Sequence, residues 1–265
     1  MVGAGNDFLV IENLSKTDPQ KLAVAMCARQ TGVGADGLLL LGTSKKADYQ
    51  MRIINSDGSE AEMCGNGVRC LAVYITHFKK PKKKLFTIET LAGMVEGQAN
   101  RETARVHLSD PKDYRPDLPL EINGRSLKAN SIDTGVPHLI IFVDGLDNIA
   151  VNELGRQLRH HAAFEPRGTN VNFVEQKNET LVAVRTYERG VEAETNACGT
   201  GAVASGIVGF LLAHPQIQTT KKAVMNVLTK SREILEISFQ INNGRIFDVW
   251  LKGSGKIIAQ GEYYV

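Results

Sequence analysis

The chain has 265 residues, 43% of them hydrophobic and 23% charged, with 31 Lys and Arg against 29 Asp and Glu and a formal net charge of +2. An ordinary apolar fraction excludes global disorder, and so small a net charge gives no broad field for nucleic acid or a membrane surface. Four cysteines in a chain of this length do not make a disulfide scaffold.

In chain order, the first residues carry Asp7 and Glu12 and no basic stretch, so no export signal is read there. A reducing cytoplasm follows as the expected compartment, with Cys27, Cys64, Cys70 and Cys198 as free thiols. Residues 8–12 (FLVIE) read as a strand. Residues 19–31 read as a helix, with Leu22, Ala25, Met26 and Arg29 on or near one face. A buried strand is expected at 38–41, a second at 49–55 running into the Ser56-Asp57-Gly58 turn, and a helix at 68–78. The basic run 79–84, broken by Pro81, reads as a solvated loop. Strands are expected at 85–89, 94–96 and 104–108. Residues 110–117, with Pro111 and Pro116, have turn composition and suggest a domain boundary. Residues 202–213 are the most apolar stretch, but they are too short for a bilayer and read as a buried helix.

The second half repeats the layout of the first. Gly5-Asn-Asp-Phe corresponds to Gly135-Val-Pro-His, Gly34-Ala-Asp-Gly to Gly168-Thr-Asn-Val, and Cys64-Gly-Asn-Gly to Cys198-Gly-Thr-Gly, at offsets of 130, 134 and 134 residues. Arg52 and Arg185, each followed by a Gly turn and acidic residues, belong to the same third block. An α+β fold of two pseudo-symmetric lobes follows. The expected lobes are 1–113, completed by a C-terminal strand near 255–265, and 114–254, with the active site at their seam.

Each Cys-Gly-x-Gly element precedes helical composition. A thiol at a helix N-terminus meets unpaired N–H groups and partial positive charge, which favour its thiolate. The same N–H groups bind carboxylates, and glycine lets a ligand approach the backbone. Two such thiols suit inversion of a stereocentre beside a carboxylate: one removes the α-proton and the other protonates the opposite face. Their titrations would be coupled. Cys27 and Cys70 fall within helical stretches and read as packing residues. No Cys-x2-Cys or His-x3-His pair suggests a metal, and no dinucleotide or phosphate-loop motif suggests a cofactor.

The motifs resemble those of the diaminopimelate epimerase family. The resemblance rests on GAGNDF at 3–8, GADG at 34–37, RIINSDGSEAEMCGNGVRC at 52–70, GVPH at 135–138, RGTNVNF at 167–173 and YERGVEAETNACGTGA at 187–202. It implies a cofactor-independent, two-base epimerase acting on LL- and meso-2,6-diaminopimelate in lysine and peptidoglycan-precursor synthesis. It further implies a homodimer and lobes that each wrap a β-barrel-like sheet around a central helix. By motif, Cys64 and Cys198 become the acid–base pair, and Gly65, Asn66, Gly199 and Thr200 the carboxylate cradles. Asn6, Asn55, Asn170, Glu188 and Arg189 become substrate-holding residues, and His138 and Glu188 modulators of a thiol. Arg189 suits the distal carboxylate and Glu188 the distal ammonium. The chain departs from the family in Val136, where many members have Asn, and in Gly37, where some have Gln; Met1 also falls close to the first motif. Alternatives are another amino-acid racemase of the same fold, of glutamate, histidine or proline type, or a non-catalytic amino-acid-binding protein.

Overall fold

In a computed structural model, the described residues are 1–12, 17–122 and 124–264, and they form two compact units, Met1–His107 with Lys252–Val265, and Leu108–Leu251. The first unit contains β1 (Val2–Gly3), β2 (Asn6–Glu12), α1 (Pro19–Cys27), β3 (Gly37–Gly42), β4 (Tyr49–Asn55), β5 (Glu60–Ala61), α2 (Gly65–Tyr74), β6 (Phe86–Thr90), β7 (Gly93–Ala99) and β8 (Thr103–Leu108), whose last residue opens the second unit. The second contains β9 (Lys112–Ile122), β10 (Arg125–Asp133), β11 (Pro137–Phe142), α3 (Val151–Arg159), β12 (Asn170–Asn178), β13 (Leu181–Glu188), β14 (Ala193–Thr195), α4 (Gly199–Ala213), β15 (Thr220–Leu228), β16 (Ile234–Asn242) and β17 (Arg245–Ser254), the last running on into Lys252 of the first unit.

Both units use one pairing scheme. In the first, β2 is antiparallel to β1 and parallel to β3; β4 is antiparallel to β3 and β5 and parallel to β6, and β7 is antiparallel to β6. In the second, β11 is antiparallel to β10 and parallel to β12; β13 is antiparallel to β12 and β14 and parallel to β15, and β16 is antiparallel to β15. Parallel neighbours need a crossover. The helices α1 and α2 lie in the crossovers of one unit, and α3 and α4 in those of the other.

The central helices are buried on nearly every side. In α2, residues Asn66 to Val73 are all buried; in α4, Gly201 to Phe210 are. A helix apolar on all faces belongs inside its sheet, not on it. The helix α2 packs against β1, β2, β3, β4 and β7, and α4 against β10, β11, β12, β13, β15 and β16. No described helix is long and apolar enough to cross a membrane, and the 202–213 stretch lies within α4.

The local physics of the elements is legible. Asp18 caps α1 by accepting from the Gln20 amide at 3.0 Å, with Pro19 at the first helical position. This helix ends at Cys27, four residues short of the expected limit. The second helix begins at Gly65, earlier than expected, because a poor helix former still serves the first turn when the residue before it caps. It continues as a π-helical turn, Ile75–Lys79, into the basic loop, where Lys79 pairs with Glu12.

Residues 112–117 are not a turn. They open β9, which pairs with β10 through register shifts between Ala129 and Ser131 and between Ser131 and Asp133. Asp113 and Asp117 take positive φ of 55° and 49° there. The bulges absorb Pro116, which cannot donate to a ladder. No strand is found after Ser254 among the described residues; Lys256 makes an isolated bridge to Val2 instead.

Candidate active site

In the first unit, Cys64 is the N-cap of α2, half-buried and extended at φ −143°, ψ 114°. Its Sγ accepts from the Gly67 amide at 3.5 Å, so the thiol stands where a Ser or Asp cap would. Asn66 is 3% exposed. Its Nδ2 donates to Asn6 Oδ1 at 2.5 Å, and Asn6 Nδ2 donates to Asp36 Oδ2 at 3.0 Å. Asp36 also accepts from the Asp7 amide, and Arg29 bridges Asp7 and Asp36 at 2.8 Å each. Asn55 is exposed at the end of β4, where its Nδ2 donates to Ser59 Oγ at 2.9 Å across the following turn.

In the second unit, Cys198 is the N-cap of α4 and 7% exposed. Its sulfur meets Thr200 Oγ1 at 3.5 Å and the Glu188 carboxyl. Glu188 accepts from Thr195 Oγ1 at 3.0 Å, and burial pushes its pKa up. A carboxyl so placed exchanges a proton with a neighbouring thiol more readily than an exposed one.

Behind Thr200 runs a buried relay. His138, 0% exposed, places Nε2 3.0 Å from Thr200 Oγ1 and Nδ1 3.1 Å from Asn172 Nδ2. The Asn172 amide also donates to Leu139 O at 3.0 Å, and its Oδ1 accepts from Thr186 Oγ1 at 2.9 Å. Nδ1 of His138 therefore accepts, and Nε2 carries the proton and donates to Thr200. That leaves the Thr200 hydroxyl hydrogen for the sulfur. Burial, then the positive charge of Arg189, pushes the His138 pKa down to about 3, so the ring is neutral.

Asn170, 3% exposed, is committed to the backbone: Oδ1 accepts from the Arg189 amide at 2.8 Å and Nδ2 donates to Pro137 O at 3.1 Å. It thus ties the start of β11 to the turn that carries Arg189, whose Nη1 reaches Arg167 O at 3.3 Å. Val136 accepts only through its carbonyl, from the Thr134 amide at 3.2 Å. Cys27 and Cys70 are buried in the helices, and burial, with the charges of Asp7 and Asp36, pushes the Cys27 thiol up to about 11. Among the described residues no three His, Cys, Asp or Glu cluster as a metal site would require.

Sequence reasoning named His138 and Glu188 as modulators of a thiol without saying which, and Thr200 as part of a carboxylate cradle; the structure brings all three to Cys198. It did not single out Arg69, Asp36, Asn172 or Thr186. The i, i+2 spacing of Asn170 and Asn172 was the available signal, since both then face one side of β12.

A diaminopimelate epimerase family model matches residues 1–112 and 130–249. The chain belongs to the diaminopimelate epimerase family. The diaminopimelate epimerase of Aquifex aeolicus is 39% identical over 98% of this chain and 94% of that relative. That of Caldanaerobacter subterraneus is 38% identical over 99% of this chain and 97% of its own length. Among solved structures, a PhzF-family phenazine biosynthesis protein of Bacillus anthracis shares the fold at TM-score 0.70 and 17% identity, covering 96% of this chain and 92% of that one. A hydroxyproline epimerase of Agrobacterium vitis shares it at TM-score 0.66 and 14% identity, covering 96% and 87%. At such identity these two speak for the two-lobed fold alone.

Proposed function

We propose that this chain interconverts LL- and meso-2,6-diaminopimelate by two-base proton transfer between Cys64 and Cys198, without a cofactor. The observation that carries the reading is that each unit sets a cysteine at the N-cap of its central helix, within a motif of the family to which the chain belongs. Inversion requires one sulfur to take the α-proton as the other delivers a proton to the opposite face. A thiolate alone is a modest base for so weak a carbon acid. The first-turn amides of α2 and α4, around Gly65, Asn66, Gly199 and Thr200, are suited to hold the substrate carboxylate and the charge that develops on it.

At Cys198 the neighbours divide the work. Glu188 is suited to accept the thiol proton, and Thr200, fixed by neutral His138, donates to the sulfur when it is a thiolate. Arg189 supplies the cation for the distal carboxylate, and Asn6 and Asn55 polar contacts to the distal end. The expected setting is the cytoplasm, as a homodimer, in lysine and peptidoglycan-precursor synthesis.

The test is solvent-deuterium exchange on diaminopimelate with no cofactor added. Wild type should carry deuterium into the α-position of both isomers. Cys64→Ala and Cys198→Ala should each lose epimerisation by at least about a hundredfold, the usual scale of a lost general acid or base. Full epimerisation by either variant would refute the two-thiol mechanism.

A further inference from the structure

Beneath the N-terminus of α2 lies a charged residue that the chemistry above does not use. Arg69 is 0% exposed. Its Nη2 donates to Asn66 Oδ1 at 2.8 Å, its Nη1 to Gly65 O at 3.4 Å and its Nε to Ser254 O at 3.4 Å. Burying a guanidinium is costly, and this one places two of its donors on the two residues that follow Cys64.

The consequence is directional. A side-chain amide has one accepting and one donating end. With Oδ1 of Asn66 held by Arg69, its Nδ2 must face Asn6 Oδ1; with that oxygen taken, Asn6 Nδ2 faces Asp36. The far end is fixed by Arg29 between Asp36 and Asp7. Both amides are thereby set in one orientation. The second unit is built otherwise. The repeat places Val203 at the position of Arg69, 1% exposed, and its own relay runs from Asn172 through His138 and Thr200 to the sulfur of Cys198. One relay ends on amides and the first turn of a helix; the other ends on a thiol.

We propose that Arg69 is a positioning residue that locks the Asn66–Asn6 amide chain and the first turn of α2 for substrate binding, whereas the relay of the second half governs the proton at Cys198. The proposal rests on the epimerase reading for its kinetic arm only.

The test compares Arg69→Met and Arg69→Lys with Asn172→Ala. Arg69→Met should raise KM for diaminopimelate by about tenfold or more, the scale of a lost charge-assisted hydrogen bond, with a smaller fall in kcat. Arg69→Lys keeps the charge but not the fork and should restore part of that loss. Asn172→Ala should lower kcat with little change in KM. In nitrogen-15 spectra without ligand, Arg69→Met should move the side-chain amide signals of Asn66 and Asn6 and leave that of Asn172 in place. A folded Arg69→Met protein with unchanged KM and unmoved Asn66 and Asn6 signals would overturn the proposal. Should Arg69→Met fail to fold, the same two readouts on Arg69→Lys decide it. If wild type does not turn over diaminopimelate, the epimerase reading fails, and the amide signals alone decide the role of Arg69.

Discussion

His138 shows how a single residue couples the site to stability. It is held neutral, with a pKa pushed down to about 3 from an ordinary value of 6.5. A folded-state pKa below the unfolded one gives stability that is present above pH 6.5 and is lost as pH falls toward 3, because the unfolded chain binds the proton first. The slope from this group is at most about 1.4 kcal/mol per pH unit. His138→Gln should therefore flatten the acid side of the stability curve, as read by urea unfolding at a series of pH values. An unchanged slope would show that His138 takes up its proton at the same pH in the folded and the unfolded chain. His138 was legible in the sequence as a candidate modulator. Its tautomer was not, because it is decided by Asn172 of β12, which meets the ring, and by Thr186 of β13, which orients the Asn172 amide, and both come together only through tertiary pairing.

At the scale of elements, the two Cys-Gly-x-Gly turns look alike in sequence and differ in space. A Cβ on Gly201 would lie 2.5 Å from Asn172 Oδ1 and 3.3 Å from the Cys198 sulfur. A Cβ on Gly67 would meet the tip of Leu39 at 3.0 Å and the Cys64 Cβ at 3.6 Å. Leucine has a flexible end, whereas Asn172 is fixed by three hydrogen bonds. Gly201→Ala should therefore cost about a hundredfold or more in kcat through the displaced relay, and Gly67→Ala clearly less. Equal losses in steady-state assays would refute this distinction. Sequence period found β2, β3, β4, β6 and β8 within a residue or two, since β3, β4 and β6 are short apolar or alternating runs, and it named no strand of the second half. It failed at β9, where two prolines argue for a turn and register shifts make a strand. It also passed over α3, whose buried Val151, Gly155 and Leu158 share one helical face.

For the molecule as a whole, the shared pairing scheme of the two units says that one βα layout was used twice. It follows from the proposed chemistry that two sulfurs serve one carbon. Mild oxidant should then inactivate the enzyme with loss of two hydrogens between Cys64 and Cys198, and reductant should restore it. Cys27 and Cys70, buried in the helices, should stay reduced. Peptide mass mapping would check this, and full activity after complete oxidation of the pair would contradict it. Sedimentation would test the homodimer. The amino-acid sequence by itself determined the repeat, the cysteine at each helix start, the longer strands of the first half and the family, because these depend on local period and on short motifs. Tertiary structure decided which polar groups touch. Glu188 reaches the Cys198 sulfur from the end of β13, and Arg69 reaches Asn66 from within α2 and holds it against Asn6 of β2. The Asn66–Asn6 contact joins residues 60 apart in the chain, and even where the partners are near in sequence the direction of each hydrogen bond is set only when every donor in a buried cluster must find its acceptor.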